Sequence, residues 1–315
     1  MTVKMSVREA YGKALAEYGA INPNVVVVVA DVSSSVQTFY FAKRFPERFF
    51  NVGITEQAMV DVAVGLALGG MIPFVNTFAA IFLRTIEQIR TCIAYAKTNV
   101  KIVGGYSGLS DFKDGPTHHA EADIAIMRSL PNIVVLEAAD AIEAKKMVPA
   151  VAEFDGPVYL RLSRAELPVL FDENHEIEIG KGIIVRDGSD ITIIASGVMV
   201  SRCLQAAEIA QKTEGIDACV VNMHTIKPLD TSLVKKLANK TGAIVTAEEH
   251  SIIGGLGSAV AETLCEENPV PLIRIGIRDI FTETSIEYEE LLDYYGMGVK
   301  DILNAIAHAI KLKKK

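Results

Sequence analysis

Short β-branched runs alternate with longer segments of helical period along the whole chain, and this alternation constrains the fold more than any single residue does. It is the pattern of parallel sheets covered by helices on both faces. The first half reads as strands near Val25 to Ala30, Ile72 to Val75, Val100 to Gly104, Ile133 to Leu136 and Val158 to Arg161. Helices fall between them, near Ser6 to Tyr18, Thr55 to Leu68, Phe82 to Ala96, Ala120 to Ser129 and Ala141 to Phe154. Leu167 to Asp190 breaks the rhythm with Pro168, a polar Asp-Glu-Asn-His-Glu run and several glycines. Strands then resume near Ile191 to Ser196, Ala218 to Val221, Ala243 to Ala247 and Leu272 to Ile275. Their helices are Val200 to Lys212, Thr231 to Asn239, Gly257 to Glu266 and Val299 to Leu312. The expectation is α/β: two doubly wound domains with mostly parallel sheets, over residues 1–172 and 191–315, with a linker at 173–190.

A length of 315 residues, half of them hydrophobic, fits two domains with sizeable cores. The net charge is −8 and the basic residues are scattered apart from a terminal Lys-Leu-Lys-Lys-Lys, so no positive face is expected to hold nucleic acid. Cys92, Cys203, Cys219 and Cys265 stand far apart and read as reduced core thiols. The N-terminus lacks the apolar core of a signal peptide, which places the expected location in the cytosol. Met59 to Leu83 is apolar enough to suggest a membrane span, but Asp61, Gly69-Gly70, Pro73 and Asn76 divide it into helix, turn, strand and helix.

Ligands of open parallel sheets bind beyond the carboxyl ends of the strands. In the first domain those positions collect Asp31, Ser33 to Ser35, Asn51 to Gln57, Thr77, Gly104 to His119, Glu137 and Arg161 to Arg164. The second domain offers less, apart from His224, Glu248, Glu249 and His250, so the chemistry is expected in the first. Glu56 opens an apolar helix, where partial desolvation raises a carboxyl pKa and the helix N-terminus lowers it. A plain alternative is that Thr55 or Asn51 caps the helix and Glu56 sits in its acid-favouring first turn. The loop Tyr106 to His119 can present Asp114 and His118 to a polyhydroxylated substrate, although Asp-Gly-Pro is also ordinary turn chemistry. Arg8, Arg161 and Arg164 are candidates for phosphate, with Ser33 to Ser35 as hydroxyl donors. Gly254 to Ala259 lacks the order of a dinucleotide-binding loop and reads as close backbone packing.

Taken in order, REAYGKAL, VVVADVSSS, FFNVGITEQAM, PFVNTFAAIFLRTIEQIR, GLSDFKDGPTHHAEADIAIMRSLPNI, YLRLSRAELP, HTIKPLD and EEHSIIGGLGSAV resemble transketolase. The resemblance covers its pyrimidine-binding and C-terminal domains and nearly the whole chain. DGPTHH is the most specific piece. The resemblance implies a thiamine-diphosphate-binding fold, a two-carbon transfer between sugar phosphates of the pentose phosphate type, and roles for particular residues. Glu56 aligns with the acid that hydrogen-bonds N1′ of the cofactor's aminopyrimidine. Phe78 would pack on that ring; the next aromatic of the family pattern falls on Ile81, leaving Ile81 or Phe82 to fill the wall. Asp31 matches a position near the cofactor and the subunit interface. Asp114 and His118 align with groups that hold the substrate near the reactive carbon, and Arg8, Ser35 and Arg164 with the phosphate clamp. Tyr106 stands where the family usually has a histidine.

The family's diphosphate-binding domain begins with Gly-Asp-Gly, and this chain contains no such tripeptide. The resemblance therefore implies a separate N-terminal subunit holding the diphosphate and its Mg2+ or Ca2+, in a heterotetramer of two copies each. No metal ligands are assigned to this chain. Alternatives are a 1-deoxyxylulose-5-phosphate synthase, a 2-oxoacid dehydrogenase beta chain, which lacks the Asp-Gly-Pro-Thr-His loop, and a non-catalytic regulatory subunit.

Overall fold

The computed structural model describes residues 3–313. Its first sheet has seven strands in the order β12-β6-β7-β5-β4-β2-β3. The parallel strands are β2 (Val25–Val29), β3 (Phe49–Asn51), β4 (Ile72–Phe78), β5 (Lys101–Gly105), β6 (Val134–Glu137) and β7 (Val158–Arg161). All five valines of β2 are buried, as a strand covered on both faces requires. Helices α1 (Val7–Ile21), α2 (Phe39–Arg44), α3 (Glu56–Leu68), α5 (Asp123–Ser129) and α6 (Ala141–Glu153) cover it, with α4 (Ile86–Gln88) a single turn between a 3-10 segment (Ile81–Thr85) and a π-helix (Ile89–Tyr95). Ser6 caps α1 through its hydroxyl, which accepts from the Glu9 N–H. An antiparallel pair, β1 (Lys4–Ser6) with β8 (Glu166–Pro168), ties together the two ends of this half.

The second sheet has the order β14-β13-β10-β11-β9. Strands β10 (Ile191–Ala195), β11 (Ala218–Asn222), β13 (Ile244–Ser251) and β14 (Leu272–Ile277) are parallel. Helices α7 (Met199–Glu214), α8 (Thr231–Thr241), α9 (Leu256–Glu267), α10 (Tyr288–Tyr294) and α11 (Val299–Lys313) accompany them. The expected two-sheet α/β architecture is present, with two departures from the expected borders. β9 (Ile183–Arg186) lies inside the segment read as a linker, yet pairs antiparallel with β11 and belongs to the second sheet. β12 (Thr225–Lys227) comes from the second half of the chain but pairs antiparallel with β6, closing the edge of the first sheet. Neither strand announces itself locally, because each is short and its partner lies far away in sequence.

The two halves meet through buried polar groups. Ser196 Oγ donates to Glu137 Oε2 at 2.6 Å, and Asn222 Nδ2 to Glu143 Oε1 at 2.7 Å. The crevice beyond the carboxyl ends of the second sheet is thus occupied by side chains of the first half. At the start of α9, Glu248 accepts from the Leu256 and Gly257 N–H groups at 2.6 and 2.8 Å. A Cβ on Gly255 would stand 1.9 Å from Glu248 Oε2, so the glycine-rich run packs against a carboxylate of its own chain. The apolar Met59 to Leu83 stretch becomes most of α3, a turn, β4 and the start of the 3-10 segment, and no helix among the described residues is long and apolar enough to cross a membrane.

Candidate active site

Glu56 is the first residue of α3 and is 9% exposed. Glu56 does sit in the first turn of α3, but neither Thr55 nor Asn51 caps it through a side chain. The Thr55 side chain makes no cap hydrogen bond and donates instead to the Val52 carbonyl, while Asn51 Oδ1 accepts from the Asp31 and Gly53 N–H groups. Glu56 instead pairs with Arg84, whose Nη1 lies 3.2 Å from Oε1. Arg84 is itself mostly exposed. A nearly buried carboxyl group with a solvent-facing cation as its only side-chain partner among the described residues is not a core ion pair.

The wall beside this position starts at the end of β4. Phe78 is half-buried and its ring centroid lies 4.3 Å from that of Tyr106, at 32°, and 5.9 Å from the His118 ring. Ile81 is half-buried. Phe82 is corrected: it is 1% exposed, lies in the core and meets Tyr159 edge-on at 6.3 Å, so it supports the wall from beneath. Ile81 and Phe82 differ because the 3-10 turn leaves Ile81 half-buried and turns its neighbour Phe82 into the core.

On the far side of Tyr106 stand two arginines. Arg8 Nη1 donates to the Tyr106 hydroxyl at 2.8 Å and to the Ser35 carbonyl at 2.7 Å. The Arg8 and Arg164 guanidinium carbons each lie 5.1 Å from the Tyr106 ring centroid. Arg8 Nε is buried with no partner among the described residues, the kind of donor an incoming anion would satisfy. Ser35 contributes its carbonyl here and not a hydroxyl contact. Arg164 is paired through Nη1 with Asp111, a carboxylate that burial pushes above its ordinary range. Arg161, the third phosphate candidate, is corrected: it is fully buried and bound by Asp123 and Glu137, with Nε 2.8 Å from Asp123 Oδ2. Burial alone would push Asp123 up, but Arg161 beside it holds the carboxyl below its usual range.

The loop after β5 brings Asp114 and His118 to the surface of this region. Asp114 is exposed, and His118 is half-buried with Nδ1 2.9 Å from Thr117 Oγ1. Asp31 is exposed at the end of β2 and receives an Asn51 amide hydrogen at 3.1 Å. Asp31 and Tyr106 both have positive φ, +59° and +58°, and both follow strand ends facing the site. Non-glycine residues held there cost free energy and cluster at functional sites. The sequence reading assigned no role to Arg84 or Asp111; Arg84 lies within the matched PFVNTFAAIFLRTIEQIR segment, whereas nothing local marks Asp111 as the partner of Arg164.

These residues suit an aminopyrimidine cofactor by their chemistry. A carboxyl group sheltered from water lies beside an aromatic wall, and cations suited to a terminal anion lie across that wall. Two family models match the chain: "Transketolase, pyrimidine binding domain" over residues 3–169 and "Transketolase, C-terminal domain" over residues 180–302. The chain is 44% identical over 313 residues to a protein of Methanocaldococcus jannaschii named as a transketolase C-terminal section, covering 98% of each. It is 40% identical over 309 residues to a 6-deoxy-6-sulfo-D-fructose transketolase subunit of Clostridium sp., covering 98% of this chain and 95% of the other. A solved structure described as a split gene transketolase, inactive beta4 tetramer, superposes with a TM-score of 0.91 at 46% identity, covering 98% of this chain and 99% of that one. With both domains in order and relatives of matching length, the chain belongs to the transketolase family as the half that carries the pyrimidine-binding and C-terminal domains.

Proposed function

We propose that this chain is the C-terminal subunit of a cytosolic, thiamine-diphosphate-dependent transketolase that moves a two-carbon ketol unit from a ketose phosphate to an aldose phosphate. The observation that carries the reading is Glu56: a nearly buried carboxyl group at a helix start, beside the Phe78 and Tyr106 wall. When bound, thiamine diphosphate supplies the nucleophilic carbon that makes cleavage next to a ketose carbonyl possible. Glu56 holds a proton against the pyrimidine nitrogen N1′, and Phe78 and Ile81 exclude water from that ring. Asp114 accepts hydrogen bonds from sugar hydroxyls, and His118 donates to or takes a proton from the oxygens near the breaking bond. Arg8 and Arg164, aligned by Tyr106 and Ser35, receive the terminal phosphate as a fixed pair of forks. Asp31 sits where the cofactor edge and the neighbouring subunit meet.

An N-terminal chain completes this site by holding the diphosphate and its Mg2+ or Ca2+, in a heterotetramer of two copies each. Helix α3 supports that partner. It is apolar on nearly every face, yet Val62 and Leu68 stay exposed, as do Ile54 before it and Leu83 beside it. Such a helix is normally buried all round, so an uncovered flank beside Glu56 suits a docking chain.

The test mixes the purified chain with its N-terminal partner, thiamine diphosphate and magnesium, and follows ketol transfer from a ketose phosphate to an aldose phosphate. Transfer is expected only with both chains present. Release of carbon dioxide from a 2-oxoacid in place of transfer would sink the reading in favour of a dehydrogenase beta chain.

A further inference from the structure

The loop between Tyr106 and His119 is held largely by the other half of the chain. The Leu109 N–H donates to Glu249 Oε1 at 2.8 Å, and the Tyr288 hydroxyl donates to the same oxygen at 2.7 Å. Gly108, with φ +58°, leaves room for Glu249: a Cβ there would stand 2.3 Å from the carboxyl carbon. Further along, the Ser285 N–H donates to the Phe112 carbonyl at 2.8 Å. His119 Nδ1 lies 2.7 Å from Thr282 Oγ1, and its other ring nitrogen lies 3.2 Å from the Asp111 carbonyl. Thr282 is held in turn by Glu121. Gly115 packs against Thr284, where a Cβ would meet Cγ2 at 2.5 Å. A bridge between Gly108 and Ala120 closes the neck of the loop.

Inside this frame the residues that face the site are loosely held by their own side chains. Asp114 is exposed, and among the described residues the His118 ring has one side-chain hydrogen-bond partner, Thr117, beside the Phe78 ring. Their positions therefore depend on the backbone, and the backbone depends on Glu249, Thr282 and Ser285. Glu249 is fully buried, and burying a carboxyl group is costly unless it does something a hydrocarbon could not. Here its one doubly engaged oxygen satisfies the Leu109 amide, three residues after Tyr106.

We propose that Glu249 is a positioning residue for the sugar substrate: from the second domain it sets the backbone of the Tyr106 to His119 loop, so that Asp114 and His118 meet the substrate hydroxyls. The proposal rests on the transketolase reading for the identity of the substrate, but not for the brace itself. It also gives the second domain a function, since Glu249, Thr282 and Ser285 of that domain hold the loop that carries Asp114 and His118.

The experiment compares Glu249→Leu and Glu249→Gln in the complex with the N-terminal partner. Glutamine keeps a carbonyl oxygen for both donors and is expected to stay close to wild type. Leucine strands the buried Leu109 amide, and the KM for the ketose phosphate is expected to rise about tenfold with kcat much less affected. Thiamine diphosphate affinity is expected to stay unchanged, because Glu56 lies on another element. Hydrogen exchange in the Glu249→Leu chain is expected to accelerate at residues 107–112 and not in α3. Should Glu249→Leu fail to fold, Thr282→Val carries the same expectation at residues 117–119. Unchanged loop exchange overturns the brace; faster loop exchange with an unchanged sugar KM overturns its role in substrate binding. A parallel loss of cofactor affinity and of protection throughout the chain also overturns it, as ordinary destabilisation. Absence of ketol transfer in the wild-type complex would instead strike the transketolase reading, leaving the exchange result to judge the brace.

Discussion

Arg84 Nη1 lies 3.2 Å from Glu56 Oε1, and this pair is asymmetric: the carboxyl side chain is 11% exposed and the guanidinium side chain 59%. An exposed cation can swing into solvent at little cost, leaving the carboxyl free for a ligand. Replacing Glu56 with alanine should therefore lower kcat of the two-chain enzyme by roughly a hundredfold to ten-thousandfold, the range for losing an acid-base group. The melting temperature should barely change, because Arg84 regains water. Near-normal turnover in that variant would remove Glu56 from the mechanism.

Tyr106 is the hinge of the anion clamp, through its hydroxyl to Arg8 and its ring between Arg8 and Arg164. Tyr106→Phe keeps the ring and removes the acceptor. A hydrogen bond to a charged donor is worth roughly 1.5–3 kcal/mol, so the KM for phosphorylated sugars should rise about tenfold or more. Steady-state kinetics with phosphorylated and unphosphorylated ketoses separates the effects. Equal losses for both would show that the clamp does not read the phosphate.

Arg161 has two buried acidic partners, Asp123 and Glu137, and its Nη2 also donates to the Ala120 and Glu249 carbonyls. Arg161→Met should destabilise the chain by about 3–5 kcal/mol, since removing one member strands buried charge. Urea unfolding midpoints give the measurement. A loss below about 1 kcal/mol would mean that the acids neutralise by taking up protons on folding.

Burial pushes Glu248 and Glu249 up to about 7 from an ordinary 4.5. The folded state then binds more protons than the unfolded state between those values, so stability falls as pH rises through that window. Lys101, pulled down by burial to about 7, gives the opposite slope above neutrality, and His250, lowered by burial to about 4, opposes it below about pH 6.5. The comparison is therefore between wild type and Glu248→Gln. Denaturant midpoints at pH 5 and pH 8 should show a larger fall in the wild type than in the variant. Parallel curves would show that Glu248 is ionised throughout, held so by the two amides at the start of α9.

The core strands were legible because parallel strands covered on both faces must be nearly continuous apolar runs, as Val25–Val29 is. Helix α1 was legible from its period, and the structure adds the Ser6 cap. The π-helix Ile89–Tyr95 was not, since its pattern reads as an ordinary helix and only packing selects the wider turn. Strands β9 and β12 were missed for the same kind of reason: each exists only because a distant partner offers an open edge.

At the site, the sequence and its resemblance named Glu56, Phe78, Asp31, Asp114, His118, Arg8, Ser35, Arg164 and Tyr106; residue chemistry alone left Arg161 beside Arg164, and the resemblance left Ile81 beside Phe82. Local pattern records which residues are polar and how they repeat, and that determined the two sheets and the loops at their carboxyl ends. Which charge is neutralised, and which ring faces outward, depends on groups brought together from far along the chain. Asp123 and Glu137 sequester Arg161, Tyr159 draws Phe82 inward, and Glu249 reaches across to Leu109, contacts that only long-range packing creates.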